Sequence, residues 1–361
     1  MTVSALDLTR DLVRLDTVNG AEDAGISLLA PLLEEVGFAV QIVPWQPGRS
    51  NLVATWAGGG DLVLAGHLDT VPFDASAWTV GPLSGDVQAG RIFGRGSSDM
   101  KGGLAAMVVA ALGAAQHGAP GFHLAITAAE EVGCLGARAV AQSGLLPANP
   151  ILVLGESTEN QVRLGHKGAT WLEARTRGIA AHGSRPDLGR NAIDDLIDAA
   201  VEFRGADLGP THRQLGSPSV NLGTMNGGQQ TNLVPNSARM TVDIRTVPGT
   251  DIPALTERLA EAMTEGEVIE LLQLPAVWTA EDSDLTSLIR QIVGDITHDQ
   301  SLPQGVSYFT DAAVLAPVIN PRVYILGPGD LDQPHSADES CSVDRINEAT
   351  ETYSALIRSV H

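Results

Sequence analysis

An α/β fold is what this sequence predicts: a mostly parallel sheet layered between helices (α/β/α), with a second, two-layer α+β unit inserted into it. Three observations carry that expectation. Short apolar runs alternate with helical patterns over residues 1–165; the pattern changes near Lys167; and the first character returns from about Glu281. A length of 361 residues suits two domains, expected at 1–166 with 275–361 and at 167–274 for the insert.

Helical spacing of apolar residues over about Val3–Leu15 and Gly25–Val36 predicts two helices. The run Leu62-Val63-Leu64-Ala65 is short and wholly apolar, as a buried strand is, and Phe122–Thr127 and Ile151–Leu154 read the same way. Met100–Ala115 is a helix of small residues that can pack closely on a sheet. The run Gly58-Gly59-Gly60 stands before a strand and reads as a turn, because no helix follows it to make a phosphate loop. In the insert, Thr170–Thr176 alternates apolar and polar residues as a half-exposed strand does. A helix over Asn191–Phe203, strands at Ser219–Met225 and Ala238–Arg245, a helix over Asp251–Met263 and a strand at Val268–Leu274 complete a small two-layer unit. A helix over Ser283–Ile296, a strand at Arg322–Leu326 and a last helix capped by Asp344 restore the α/β pattern.

Composition excludes several classes. Hydrophobic residues make up 43% and charged residues 18%, enough for packed cores and unlike a disordered chain. A formal charge of -21 repels phosphate backbones and anionic membrane surfaces, so neither nucleic acid nor membrane is an expected partner. Two cysteines, Cys134 and Cys341, do not make a disulfide framework, and a reducing compartment is the simpler expectation. The start of the chain, Met1–Asp16, mixes Asp7, Arg10, Asp11 and Arg14 with apolar residues, unlike a signal peptide, and no apolar run reaches membrane-span length. The expected location is therefore the cytoplasm.

Five polar clusters carry the chemistry. Gly66-His67-Leu68-Asp69-Thr70 directly follows a buried strand, at the sheet edge where ligands bind in open α/β folds. His67 and Asp69 lie two apart, so an extended chain points both to one side. A carboxylate there can hold the second ring nitrogen of a ligating histidine, or another group. Asp99 sits among four glycines just before the small-residue helix. It reads either as a helix N-cap or as a carboxylate shared by two cations. Glu130-Glu131 ends another buried strand; adjacent carboxylates are costly unless something positive is near. They point to opposite sides of an extended chain, so one can bind metal while the other faces substrate as a base. Glu156 follows a third strand and His335 a fourth. Each cluster alone is more often structural. As a set, two imidazoles (His67, His335) and three carboxylates (Asp99, Glu131, Glu156) suit two zinc ions about 3.5–4 Å apart with one carboxylate shared. No cysteine is needed, which excludes soft-ligand sites.

With these residues in view, the sequence resembles the acetylornithine deacetylase, succinyl-diaminopimelate desuccinylase and carboxypeptidase G family of dinuclear zinc metallohydrolases. The matching stretches are G-H-L-D-T-V-P from Gly66, G-R-G-S-S-D-M-K-G-G from Gly94, E-E-V-G from Glu130, Gly155-Glu156, A-H-G-S-R-P from Ala181, T-N-L-V-P from Thr231, D-I-R-T-V-P-G from Asp243 and P-H-S-A-D-E from Pro334. Together they span nearly the whole chain in the family's order. The resemblance implies that Asp99 bridges two zinc ions (cobalt or manganese being alternatives), that His67 and Glu156 complete one site, and that Glu131 and His335 complete the other. It implies that Asp69 orients His67, that Glu130 is the general base, and that His182 stabilises an oxyanion from the partner subunit of a homodimer. It further implies that Asn232 and Arg245 hold a substrate carboxylate, and that Tyr308–Ala313 is a substrate-side loop. The activity implied is hydrolysis of the amide bond of a small N-acyl amino acid by a metal-activated water, with the insert as lid and dimerisation domain. A di- or tripeptidase or carboxypeptidase on the same scaffold, and a non-catalytic metal- or peptide-binding protein, are the alternatives. A nucleotide-binding oxidoreductase is excluded because no G-x-G-x-x-G opens a helix after the first strand.

Overall fold

The computed structural model describes residues 3–299, 301 and 304–360. Met1, Thr2 and His361, which the expected outer limits of the first domain include, lie outside the described residues. The chain divides into two compact units. The first takes the described residues of Met1–Gly165, Trp278–Gly305 and Thr310–His361; the second takes His166–Val277 and Val306–Phe309.

The first unit is built on a sheet whose strands run, edge to edge, β1 (Ala39–Gln46), β2 (Arg49–Trp56), β6 (Phe122–Thr127), β3 (Leu62–His67), β7 (Ile151–Leu154), β15 (Arg322–Ile325), β8 (Arg163–His166) and β13 (Val277–Trp278). The short strand β14 (Gln304–Val306) pairs with β8. The central four, β6-β3-β7-β15, are mutually parallel. Antiparallel neighbours flank them, β2 and its hairpin partner β1 on one side and β8 on the other. The central strands are apolar and buried along their length because helices cover both faces. Alternation sorts them: Leu62, Leu64, Leu124, Ile126 and Val153 join a core with α1 (Ala5–Val13), α2 (Asp23–Val36), α3 (Gly102–Gln116), α7 (Asp284–Thr297) and α9 (Val343–Ser359). On the other side, α4 (Leu135–Gln142) packs on β1, β2 and β6 beside α8 (Ala312–Ile319).

The α/β expectation agrees with this architecture, with the differences at the ends and edges. The last helix is capped by Ser342, whose side chain accepts from the Arg345 N–H, and Asp344 lies in its first turn. A hydroxyl at the true cap position wins over an acid that suits the helix dipole two residues later. The β1–β2 hairpin, α4 and α8 were not foreseen. β1 is mostly exposed and carries Pro44, and α8 is eight residues long with Pro317 inside, so both give weak periodic signals. A three-stranded ribbon, β16 (Ser340–Ser342), β5 (Arg91–Phe93) and β4 (Val87–Gln88), also stands apart from the main sheet.

The second unit is a four-stranded antiparallel sheet in the order β10 (Ser219–Gly227), β11 (Ser237–Thr246), β9 (Gly168–Arg177), β12 (Gly266–Leu274). One face packs on α5 (Ala192–Arg204) and α6 (Ile252–Glu261), burying Leu172, Met240 and Val242 against Leu196, Phe203 and Leu259. The helices start where capping chemistry predicts: Asn191 accepts from the Ile193 N–H and Asp251 from the Ala254 N–H. Among the described residues, no helix is long and apolar enough to cross a membrane.

Close approach of α3 to the sheet depends on glycine. A Cβ on Gly103 would stand 2.0 Å from the Gly155 carbonyl oxygen, whereas one on Gly113 of the same helix meets nothing within 4 Å. Gly103→Ala is therefore expected to destabilise the protein by about 1–3 kcal/mol through overpacking. Gly113→Ala is expected to be neutral or stabilising by up to ~1 kcal/mol through helix propensity. Denaturant unfolding of the two variants side by side measures this, and equal midpoints would show that α3 is free to move off the sheet.

Candidate metal centre

The parallel strands deliver their polar residues to one edge. His67 ends β3, Glu130 and Glu131 follow β6, Glu156 follows β7, and the chain after β15 leads to His335. All are at carboxyl ends of strands, where the sheet stops and backbone groups open toward a ligand. Asp99 precedes α3 with extended backbone angles (φ -121°, ψ 90°), and the cap position of that helix belongs to Lys101, without a side-chain bond. Asp99 is therefore free of the N-cap duty that its place in the sequence also allowed.

These side chains converge. His67 Nε2 lies 3.3 Å from Asp99 Oδ1 and 3.7 Å from Glu156 Oε1. His335 Nε2 lies 3.5 Å from Asp99 Oδ2 and 3.1 Å from Glu131 Oε2. Each oxygen of Asp99 thus faces a different imidazole. Two three-residue groups, His67–Asp99–Glu156 and Asp99–Glu131–His335, share that one carboxylate, and within each group the donor atoms lie within 4.8 Å of one another.

Electrostatics make this arrangement costly on its own. Burial is the main cause that pushes Glu130 and Glu156 well above the usual carboxylate range and raises Glu131, and the neighbouring acids push further. Burial works against a charged His67, yet Glu156, Asp99, Glu130 and Asp69 together raise it well above the ordinary imidazole value. The hydrogen bond to Glu131 is the largest cause raising His335. Among the described residues, no arginine or lysine pairs with Asp99, Glu130, Glu131 or Glu156; the two imidazoles pair with Asp99, Glu131 and Glu156. A donor set of two imidazoles and three carboxylates, short of positive charge, fits divalent cations of the zinc, cobalt or manganese kind.

Asp69 has two functions. Its backbone carbonyl lies 2.9 Å from His67 Nδ1, which leaves Nε2 facing Asp99, while its carboxylate is farther, at 3.7 Å. That carboxylate accepts instead from the N–H groups of Glu130 (3.0 Å) and Glu131 (3.1 Å). Of the two roles open to it in sequence, orienting His67 falls chiefly to the main chain, and the side chain holds the turn that bears both glutamates.

Three residues here carried no assigned role in the sequence reading of the centre. Glu339 is buried under the Asp99 loop. Cys134 lies with its sulfur 3.8 Å from Glu130 Oε1, and burial holds it as a thiol. Asp311 was expected on a substrate-side loop. It is buried beside Glu130 and Cys134, accepts from Thr127 Oγ1 at 2.5 Å and is pushed up to about 6, first by burial. An acid beside the apolar run Ala312–Ile319 is the one signal that pointed inward.

The remaining expected residues belong to the second unit. His182 and Asn232, fifty positions apart, are brought together: His182 bridges Leu233, and the Gly183 N–H donates to the Asn232 carbonyl at 2.8 Å. Both are exposed, and His182 Nδ1 is occupied by Ser184, whose backbone N–H and hydroxyl lie 3.1 and 2.8 Å away. Arg245 directs Nε and Nη2 to Asp243 Oδ2 (3.2 and 3.0 Å), and its guanidinium lies 5.7 Å from the Phe309 ring centre.

Comparison with known proteins identifies the family. Residues 63–359 match the model of peptidase family M20/M25/M40. An acetylornithine deacetylase of Vibrio atlanticus is 32% identical, the alignment covering 98% of each chain. A probable succinyl-diaminopimelate desuccinylase of Staphylococcus epidermidis is 29% identical over 98% of this chain and 96% of its own. The crystal structure of an M20 family metallo-carboxypeptidase from Sulfolobus solfataricus shares the fold, with a TM-score of 0.82, 18% identity and 99% of each chain covered. The chain belongs to peptidase family M20/M25/M40 and is a metal-dependent hydrolase of amide bonds.

Proposed function

We propose that this enzyme removes the acyl group from a small N-acyl amino acid, of the acetyl or succinyl type, with two zinc ions as the first candidate cofactor and cobalt or manganese as substitutes. The observation that carries the reading is Asp99, whose two oxygens face two different histidines. On it, His67, Asp99 and Glu156 hold one ion, and Asp99, Glu131 and His335 the other. The similarity to a deacetylase and a desuccinylase over nearly the full chain supports the choice of substrate class.

Two bound ions supply Lewis acidity for the carbonyl and a water acidic enough to ionise near neutral pH. Glu130 serves as general base and then returns the proton to the leaving amine. Its burial suits the role of base, because a carboxyl held well above its usual range takes up a proton more readily than a solvated one. Asp69 holds the backbone of Glu130 and so fixes where the base sits. Arg245 and Asn232 are assigned to the substrate carboxylate, Arg245 by bidentate hydrogen bonds that a lysine does not reproduce. To bind in that way, Arg245 must release or share Asp243. His182 is assigned to the oxyanion, from the second subunit of a homodimer formed through the inserted unit. Ile179, Leu188, Val201 and Met225 are exposed apolar side chains of that unit and give such an interface its material. Two free, buried cysteines suit a cytoplasmic enzyme.

Glu130→Gln is expected to retain metal and to lose turnover by about 10²–10⁴-fold. Metal analysis with steady-state kinetics checks both, and near wild-type turnover would remove Glu130 from the role of base. His182→Ala is expected to lower kcat by about 10²–10³-fold with metal content unchanged. Mixed dimers of His182→Ala and Asp99→Ala subunits should regain part of the activity, and no recovery in isolated heterodimers would place the histidine's action within its own subunit. The substrate class is tested by screening N-acetyl, N-succinyl, N-formyl and glutamyl-linked amino acids against dipeptides and tripeptides with metal-reconstituted enzyme. Acyl amino acids should be turned over, and hydrolysis confined to peptides would replace the deacylase reading with a peptidase.

A further inference from the structure

Glu339 stands four residues after His335 and is fully buried. Its carboxylate accepts four hydrogen bonds. Oε1 takes the N–H of Ser98 (2.8 Å) and of Asp99 (3.0 Å), and Oε2 takes Arg95 Nη1 (2.6 Å) and the Gly96 N–H (3.0 Å). Its main-chain carbonyl accepts from the Gly94 N–H at 2.9 Å, and the next residue, Ser340, pairs with Phe93 across the ribbon. One side chain therefore grips the whole turn Arg95–Asp99 from beneath.

The chemistry of the four partners defines what Glu339 does. All are donors and none can accept, so each oxygen is used as an acceptor and a proton on this carboxyl would find no partner. Arg95, itself buried and stacked 5.2 Å from the Trp78 ring centre, supplies the matching charge. This separates Glu339 from Asp99, Glu130, Glu131 and Glu156, which pair with no arginine or lysine among the described residues. With both oxygens engaged by donors, it is a support and not a ligand. Asp99 has the extended backbone described above and no helix cap to fix it, so the grip on its own N–H and on that of Ser98 sets where its carboxylate points.

Resting on the dinuclear reading above, we propose that Glu339 is the positioning residue that aims Asp99 between the two metal positions and ties the Asp99 loop to the segment bearing His335. Because Asp99 is shared, a fault at Glu339 weakens both positions together, whereas loss of His335 weakens one. Asp69 does the equivalent for Glu130 and Glu131, so each pair of loops around the centre is clamped by one buried carboxylate reading backbone N–H groups.

The test is Glu339→Gln, with Glu339→Asp as the charge-conserving partner and Asp99→Ala as the control. The glutamine amide must turn its NH₂ toward one pair of donors, leaving two N–H groups unpaired and facing a third donor. Zinc titration of the apo-proteins by calorimetry should show affinity lowered by about 10–100-fold at both positions in the glutamine variant, with the aspartate variant between it and wild type. The absorption bands of the Co(II)-loaded protein should shift, since they report the ligand field of Asp99. A glutamine variant that melts earlier yet binds two zinc ions with wild-type affinity and an unchanged Co(II) spectrum would show a merely structural role and overturn the proposal. Should the glutamine variant not fold, wild-type affinity and spectrum in the aspartate variant overturn it equally. If Asp99→Ala also binds two ions tightly, the fault lies with the dinuclear centre and not with Glu339.

Discussion

The gathering of buried negative charge around Asp99 is the constraint on which the rest of the first unit depends. Burial first, and then the neighbouring acids, raise the hold of Glu130, Glu131 and Glu156 on a proton, whereas, against its burial, His67 and His335 keep Asp99 below the usual carboxylate range. Two imidazoles offset part of that charge. In a metal-dependent enzyme a bound cation would offset such a cluster, and part of its binding energy would then also be folding energy.

The scaffold delivers these acids to one place by simple means. Four parallel strands end at one edge, and each end or following loop contributes a donor: β3 gives His67, β6 gives Glu131, β7 gives Glu156 and the chain beyond β15 gives His335. Strand ends are rigid on the sheet side, which allows a side chain to be fixed in place. Asp99 comes from the turn before α3, drawn close to the sheet because Gly103 lies against the Gly155 carbonyl. The turns themselves are held by carboxylates, Asp69 beneath Glu130 and Glu131, and Glu339 beneath Ser98 and Asp99. Backbone N–H groups without partners would be costly, so these acids satisfy the turns they hold.

The second unit shows the same economy. Its sheet is covered by α5 and α6 on one face, and the loops that carry His182 and Asn232 meet through backbone pairing, so two distant motifs become one surface feature. Arg245 and Asp243 share one face of β11, a consequence of strand period, and this pairing governs how readily the guanidinium can take another carboxylate.

Much of this was legible in the chain alone. Apolar runs such as Phe122–Thr127 and Ile151–Leu154 are buried strands to the residue, since a segment covered on both faces has no polar alternation to blur its limits. Each polar cluster at the end of such a run is more often structural when taken alone; what stood out was the set, His67, Asp99, Glu131, Glu156 and His335, at or near the ends of successive elements. The β1–β2 hairpin, α8 and the cap of α9 were not legible, because exposed strands, short helices and competing cap residues carry little local signal. Sequence by itself determined the alternation of strands and helices, the interruption of one fold by another and the chemical kinds of the side chains at the strand ends. Tertiary structure alone decided that each oxygen of Asp99 meets a different histidine, that Asp69 serves the backbone more than the imidazole, that Asp311 turns inward and that Glu339 grips the turn. The reason is physical: period and composition act between near neighbours in the chain, whereas the direction of a carboxylate is set by donors such as the Ser98 N–H, 241 residues away from Glu339 in sequence and 2.8 Å away in space.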